Sequence, residues 1–360
     1  MTRLLIVDDS ALARKLLSRA FAEEKDFEVE LARDGFAALE QLARFKPDVV
    51  TLDINMPKMD GLACLDRIMI ERPCPVVMVS SQAAESAQAT LEALRLGAVD
   101  FVAKPDGAIS LHIDEWLPTL VATVRAAALA KPRLSLRLRE RVRHHTRRPT
   151  TIGTSPDGEL EIKVVPKRAT GEGLVVVGTS TGGPPALEAL LRPLTPDFPW
   201  PIIVAQHMPA GFTSALAKRL DALSPLSVCE VWQPVPLRPG NVYIGRGNAD
   251  IVVTVRARQA SAMAVPSKVG YPWHPSVDRL VRSAMEHFAA SQIIGVLMTG
   301  MGSDGAEAMA SLRRDGGRTI AEAEETAVVW GMPGSLVQLG GADWVLPLSE
   351  LAAGLQRMVP

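Results

Sequence analysis

The chain has 360 residues, of which 47% are hydrophobic and 22% charged, and its formal net charge is −1 at pH 7. That length favours two domains over one, and the apolar share is enough for a sizeable core. The near-neutral balance excludes a global pull towards nucleic acid or membrane surfaces.

Three cysteines, Cys64, Cys74 and Cys229, follow no disulfide or zinc spacing, which points to a reducing, cytoplasmic compartment. The start MTRLLIVDD meets two aspartates after four apolar residues and does not read as a signal peptide. No apolar run is long enough to span a bilayer.

The first segment alternates short aliphatic runs with helical patterns. The strands predicted are LLIVD (4–8), FEVEL (27–31), VVTLD (49–53), VVMVS (76–80) and DFVAK (100–104), with a closing helix near 114–129. Five β-then-α units predict one doubly wound, five-stranded parallel sheet. Residues 131–148, KPRLSLRLRERVRHHTRR, hold eight Lys/Arg against one Glu. A basic run admits a nucleic-acid reading, but without aromatics it reads better as a solvated tether. Residues 1–125 are therefore expected to form one domain, 126–172 a basic linker and 173–360 a second domain.

From 174 the α/β alternation returns. Strands are expected at 174–178, 201–206, 241–245, 250–255, 293–298, 318–322 and 343–347, with helices at 184–191, 212–223, 276–290, 304–314 and 349–358. The pieces around 227–255 have no helix between them, so a β-hairpin is expected to interrupt a mainly parallel order there.

In a parallel α/β sheet, ligands sit beyond the carboxyl ends of the strands. Asp8 and Asp9 end the first predicted strand, Asp53 the third, Ser80 the fourth and Lys104 the fifth. Three carboxylates together favour a divalent cation, and oxygen ligands of this kind suit Mg²⁺. One carboxylate can then accept a phosphoryl group. Asp9 and Ser10 also read as helix caps.

The stretches LLIVDDSALARKLL, LDINMPKMDGL, VVMVSS and GAVDFVAKP resemble the receiver domains of two-component response regulators, which are flavodoxin-like. The resemblance implies Asp53 as phospho-acceptor, and Asp8, Asp9, Asp53 and the carbonyl of Asn55 around Mg²⁺. It implies Ser80 and Phe101 as a switch pair, Lys104 against the acyl phosphate, and a cis Lys104–Pro105 bond. Phe101 stands where a Tyr is frequent.

In the second segment GTSTG (178–182) fits the G-x-S-x-G turn between a strand and a helix. Ser180 is either a nucleophile near a helix N-terminus or part of a plain glycine-rich turn. A nucleophile needs a base, and His207 at the end of PIIVAQ is the stronger candidate, with His274 in YPWHPSVD as pocket or structural residue. Asp304 in GMGSDGA is the candidate to orient the base, or else a helix N-cap.

Together GTSTGGPPAL, QHMP, VYIG, HPSVD and MTGMGSDGA resemble the catalytic domain of the protein-glutamate methylesterases of bacterial chemotaxis, the CheB family. That resemblance implies hydrolysis of glutamate γ-methyl esters on chemoreceptors with release of methanol, and deamidation of certain receptor glutamines. It implies Ser180 as nucleophile, His207 as base and Asp304 as orienting acid, with Thr181 and the Met301 N–H near the oxyanion. It implies a histidine kinase as phosphodonor, methyl-accepting receptors as substrate, no esterase cofactor, and a receiver that covers the catalytic cleft until Asp53 is phosphorylated.

Two other functions find less support in the sequence. A receiver-linked module that only binds, for instance to DNA, rests on the basic linker alone, and 174–360 shows no helix-turn-helix pattern with a basic recognition helix. A metal hydrolase built on His207, His274 and Asp304 lacks the i, i+4 histidine spacing of zinc sites. No direct membrane insertion is expected.

Overall fold

A computed structural model describes residues 1–80, 84–105, 109–130, 173–256 and 258–359. The linker expectation therefore lies mostly outside the described residues.

The first half holds β1 (Thr2–Val7), β2 (Phe27–Ala32), β3 (Val49–Asp53), β4 (Val76–Ser80) and β5 (Asp100–Ala103), with α1 (Ala11–Glu23), α2 (Gly35–Arg44), α3 (Gly61–Glu71), α4 (Ala84–Leu96) and α5 (Ile109–Leu129). The strands form one parallel sheet in the order β2-β1-β3-β4-β5. Every residue of β3 and β4 is buried, as a sheet covered by helices on both faces requires. Ser10 caps α1 by accepting from the Ala13 N–H, so the cap reading holds for Ser10. Helix α5 runs on past residue 125, where the sequence pattern suggested the domain to end. Val121, Val124 and Ala127 are buried in the sheet's core cluster, and their spacing keeps the helix docked beyond that point.

The second half holds β6 (Leu174–Thr179), α6 (Gly183–Leu191), β7 (Ile202–Gln206), α7 (Phe212–Leu223), β8 (Ser227–Val231), β9 (Val235–Pro236), β10 (Asn241–Gly245), β11 (Ala249–Arg256) and β12 (Gln259–Pro266). It continues through α8 (Val277–His287), β13 (Ile293–Leu297), α9 (Ala306–Arg314), β14 (Arg318–Glu322), α10 (Met332–Gln338), β15 (Trp344–Leu346) and α11 (Leu348–Met358). Seven strands make a parallel sheet in the order β15-β14-β13-β6-β7-β10-β8. The hairpin exists, but it pairs β11 with β12 in a separate three-stranded sheet with β9. Strand β8, which belongs to the span assigned to the hairpin, instead joins β10 in parallel at the edge of the main sheet.

The seven-stranded order reverses at β6. The chain goes from β6 to β7 on one side and later returns at β13 on the other. This switch point opens a crevice beyond the carboxyl ends of β6, β7 and β13.

The two halves touch. Buried apolar side chains of both belong to one contiguous cluster. Phe101 of β5 packs on Phe212 of α7, with ring centroids 4.6 Å apart. Arg219 of α7 lies 3.7 Å from Glu92 of α4.

Candidate active site and phosphorylation site

Ser180, His207 and Asp304 follow β6, β7 and β13, three neighbouring strands, so the sheet itself delivers them to one crevice. The turn after β6 is shaped by its glycines. Gly182 caps α6 with φ +76°, a left-handed conformation that suits glycine. A Cβ on Gly300 would come within 2.7 Å of the Ser180 Cβ, so only glycine lets the two loops approach this closely.

His207 Nε2 lies 2.8 Å from Asp304 Oδ2. Asp304 is no cap for the helix that follows it: Gly305 holds that position, without a side-chain bond. Its carboxylate sits instead at the start of α8, accepting from the Val277 N–H at 2.7 Å, the Asp278 N–H at 3.1 Å and the Ser276 hydroxyl at 3.1 Å. Burial pushes this carboxyl up, but the bond from His207 and the two N–H groups outweigh it and hold it below the ordinary carboxylate value. An ionised Asp304 makes Nε2 the protonated nitrogen of the ring. Nδ1, buried and without a hydrogen-bond partner, is then free to accept a proton.

Ser180 and His207 line the same cavity, of about 720 Å³, and no hydrogen bond joins them among the described residues. Gln206 ties their loops together. Its Nε2 donates to the Ser180 carbonyl at 3.0 Å and to the His207 carbonyl at 2.9 Å. The sequence pattern missed Gln206, although a polar residue ending the apolar run PIIVAQ was a visible signal. The N–H groups of Thr181 and Met301 have no partner among the described residues, and both residues line the cavity. The loop after β13 is fixed by Thr299, whose N–H donates to the buried Glu322 at 2.8 Å and whose hydroxyl donates to the Thr181 carbonyl at 2.9 Å.

His274 also reaches the cavity, but its Nδ1 pairs with the buried Asp250 at 2.9 Å and not with Asp304. His207, His274 and Asp304 are therefore split between two separate pairs, as no shared metal site would have them. The cavity is closed from the other side by Asp100, Phe101, Ala103 and Trp116 of the first half. The Thr181 hydroxyl donates to Asp100, and burial pushes that carboxyl up to about 6.

In the first half, Asp8, Asp9 and Asp53 each offer an oxygen within 4.8 Å of one another, the one metal-compatible group among the described residues. Lys104 Nζ bridges Asp8 at 3.0 Å and Asp53 at 2.9 Å. Burial pushes Asp53 above the ordinary value, with Lys104 acting against it. This donor set of clustered oxygens fits Mg²⁺. Asn55 lies two residues beyond Asp53, and Ser80 is buried at the end of β4. The cis bond implied at Lys104–Pro105 is not there: among the described residues His274–Pro275 is the cis bond, and Lys104 reaches both aspartates with a trans bond.

A parallel five-stranded domain with an acidic, lysine-bridged pocket, docked on an α/β domain with a serine, a histidine and an aspartate on adjacent strand ends, defines a response regulator whose output half is built as a hydrolase. Residues 4–113 match the family model of the response regulator receiver domain, and residues 175–355 match that of the CheB methylesterase. The chain belongs to the CheB methylesterase family. It is 56% identical to the protein-glutamate methylesterase/protein-glutamine glutaminase 2 of Rhodopseudomonas palustris, over 99% of this chain and 97% of that protein. It is 50% identical to the corresponding protein 3 of Rhodospirillum rubrum, over 99% of this chain and 95% of that one. The crystal structure of the CheB methylesterase catalytic domain of Thermotoga maritima is similar at 38% identity and a TM-score of 0.51, covering 53% of this chain and 100% of that chain. No helix among the described residues is long and apolar enough to cross a membrane.

Proposed function

We propose that this protein is a phosphorylation-activated hydrolase that removes methyl groups from glutamate γ-methyl esters on chemoreceptors, releases methanol, and deamidates specific receptor glutamines. The observation that carries the reading is the His207–Asp304 pair, 2.8 Å apart, in one cavity with Ser180. The relatives' names supply the substrate class. Residues 1–125 would be the receiver, whose last helix runs on to Leu129, the rest of 126–172 the tether and 173–360 the esterase domain.

In the esterase domain, His207 Nδ1 takes the Ser180 proton as Oγ attacks the ester carbonyl carbon. Asp304 holds Nε2–H and compensates the charge that His207 gains. The unpartnered N–H groups of Thr181 and Met301 are the candidates to meet the oxyanion. Methanol leaves with the proton returned by Nδ1. Water then attacks the acyl-serine along the same route and frees the glutamate carboxylate. With a glutamine substrate the leaving group is ammonia.

In the receiver, Asp53 accepts a phosphoryl group from a histidine kinase. Asp8, Asp9, Asp53 and the Asn55 carbonyl would hold Mg²⁺, which would offset the charge of the transferring group. Lys104 would follow the new phosphate, and Ser80 and Phe101 would report it. Phe101 stands both in the receiver and against α7, which supports a receiver that uncovers Ser180 when Asp53 is modified. The unpaired cysteines agree with work in the cytoplasm, on receptor segments exposed there.

The test is methanol release from methylated receptor membranes by Ser180→Ala. Release should fall to background while Asp53 is still phosphorylated. Appreciable turnover would sink the nucleophile assignment.

A further inference from the structure

Trp273 lies almost parallel to His207, with ring centroids 5.7 Å apart and planes 13° apart. The indole is held from several sides. The next residue, His274, pairs with Asp250, and Asp250 also accepts from the Ser276 N–H at 2.7 Å. A Cβ on Gly302 would lie 3.4 Å from the indole Nε1, so the loop that carries Asp304 runs directly beside the ring. Trp273 lines the cavity with Ser180 and His207.

The contact changes in kind during turnover. Against a neutral imidazole, an indole face offers mainly dispersion. Against an imidazolium it offers a cation–π attraction, and tryptophan has the strongest ring for that. The interaction is therefore greater when His207 carries the Ser180 proton than in the resting enzyme. Only such differential binding lowers the barrier. Asp304 meets the same charge at the ring edge, through Nε2.

We propose that Trp273 is a positioning residue for His207, holding the plane of the imidazole and stabilising the charge it acquires as general base. This rests on the assignment of His207 as base. Of the other titratable groups, Asp304 meets Nε2, and Asp100 of β5 and His274 line the same cavity.

The test uses the full chain with a small phosphodonor and methylated receptor membranes. Trp273→Phe keeps a π face, and its kcat should stay within about threefold of wild type. Trp273→Leu keeps apolar bulk without the π face. Its kcat should fall roughly five- to thirtyfold, with KM changed less than about twofold. The second readout is the fluorescence of Trp273, taken as wild type minus Trp273→Phe across a pH series. Protonation of His207 should quench it. The quench should vanish in His207→Gln and persist in His274→Asn. Equal kcat for the Leu and Phe variants, or a quench unaffected by His207→Gln, would overturn the proposal. Full methanol release by His207→Gln would overturn the base assignment and this proposal with it. That failure is recognisable because the wild-type quench, and its loss in His207→Gln, would still be seen.

Discussion

The Thr181 hydroxyl, one residue beyond Ser180, donates to the carboxylate of Asp100 at the start of the receiver's last strand. Asp100 is followed directly by Phe101, whose ring packs on Phe212. One dipeptide of the receiver thus holds both a polar and an apolar contact beside the candidate nucleophile.

That pair carries a pH dependence. Burial pushes the Asp100 carboxyl from 3.8 up to about 6, against the bonds from the Thr181 hydroxyl and the Phe101 N–H. The docked state therefore binds this proton more tightly than a released, solvated Asp100 does. Docking is penalised above pH 6 and relieved as pH falls towards 4. Since Asp100 keeps some exposure to the cavity, docking should tighten at most roughly tenfold between pH 7 and 5. Small-angle scattering of the unphosphorylated chain against pH measures it. Asp100→Asn should stay closed with little pH dependence, and a slope unchanged in that variant would contradict the assignment.

The seam should respond to charge as well. Glu92→Lys puts a like charge opposite Arg219, where a carboxylate now lies 3.7 Å away. A partly exposed ion pair contributes up to about 1 kcal/mol, so basal methanol release should rise a few-fold at most. The rise should shrink at high salt. A fall in basal activity would argue that this contact does not hold the receiver closed.

Asp304→Asn preserves the shape of the site but donates where it should accept, and favours the wrong tautomer of His207. We predict a fall in kcat of roughly 10⁴-fold with little change in KM, measured by methanol release. A loss below about tenfold would mean that Asp304 serves chiefly to anchor the start of α8.

Removing residues 1–150 should raise basal esterase activity above that of the unphosphorylated full chain. A folded but no more active fragment would refute occlusion by the receiver.

The strand-end residues were legible in the sequence because each follows an aliphatic run, and parallel strands put such ends on one edge. This applies to Asp8, Asp53 and Lys104, and equally to Ser180, His207 and Asp304. Asp304 could be read as a cap or as an orienting acid, because both need a carboxylate at a helix start. Its partner, the start of α8 at Val277, lies 27 residues away in sequence. Asp250 and Trp273 act through contacts between distant loops, which no local pattern encodes. The hairpin was placed too early because β8 and β10 are joined by a short segment yet pair in parallel. The seam between Phe101 and Phe212 depends on how two domains meet, and periodicity within either one is silent on that.

The most direct measurement is methanol release from methylated receptor membranes by the full chain, with and without a small phosphodonor, in wild type and in Asp53→Asn. We predict at least roughly tenfold stimulation of the wild type, the scale of a modest allosteric coupling, and none in Asp53→Asn. Equal rates with and without the phosphodonor in wild type, or equal stimulation in Asp53→Asn, would contradict a receiver that gates Ser180.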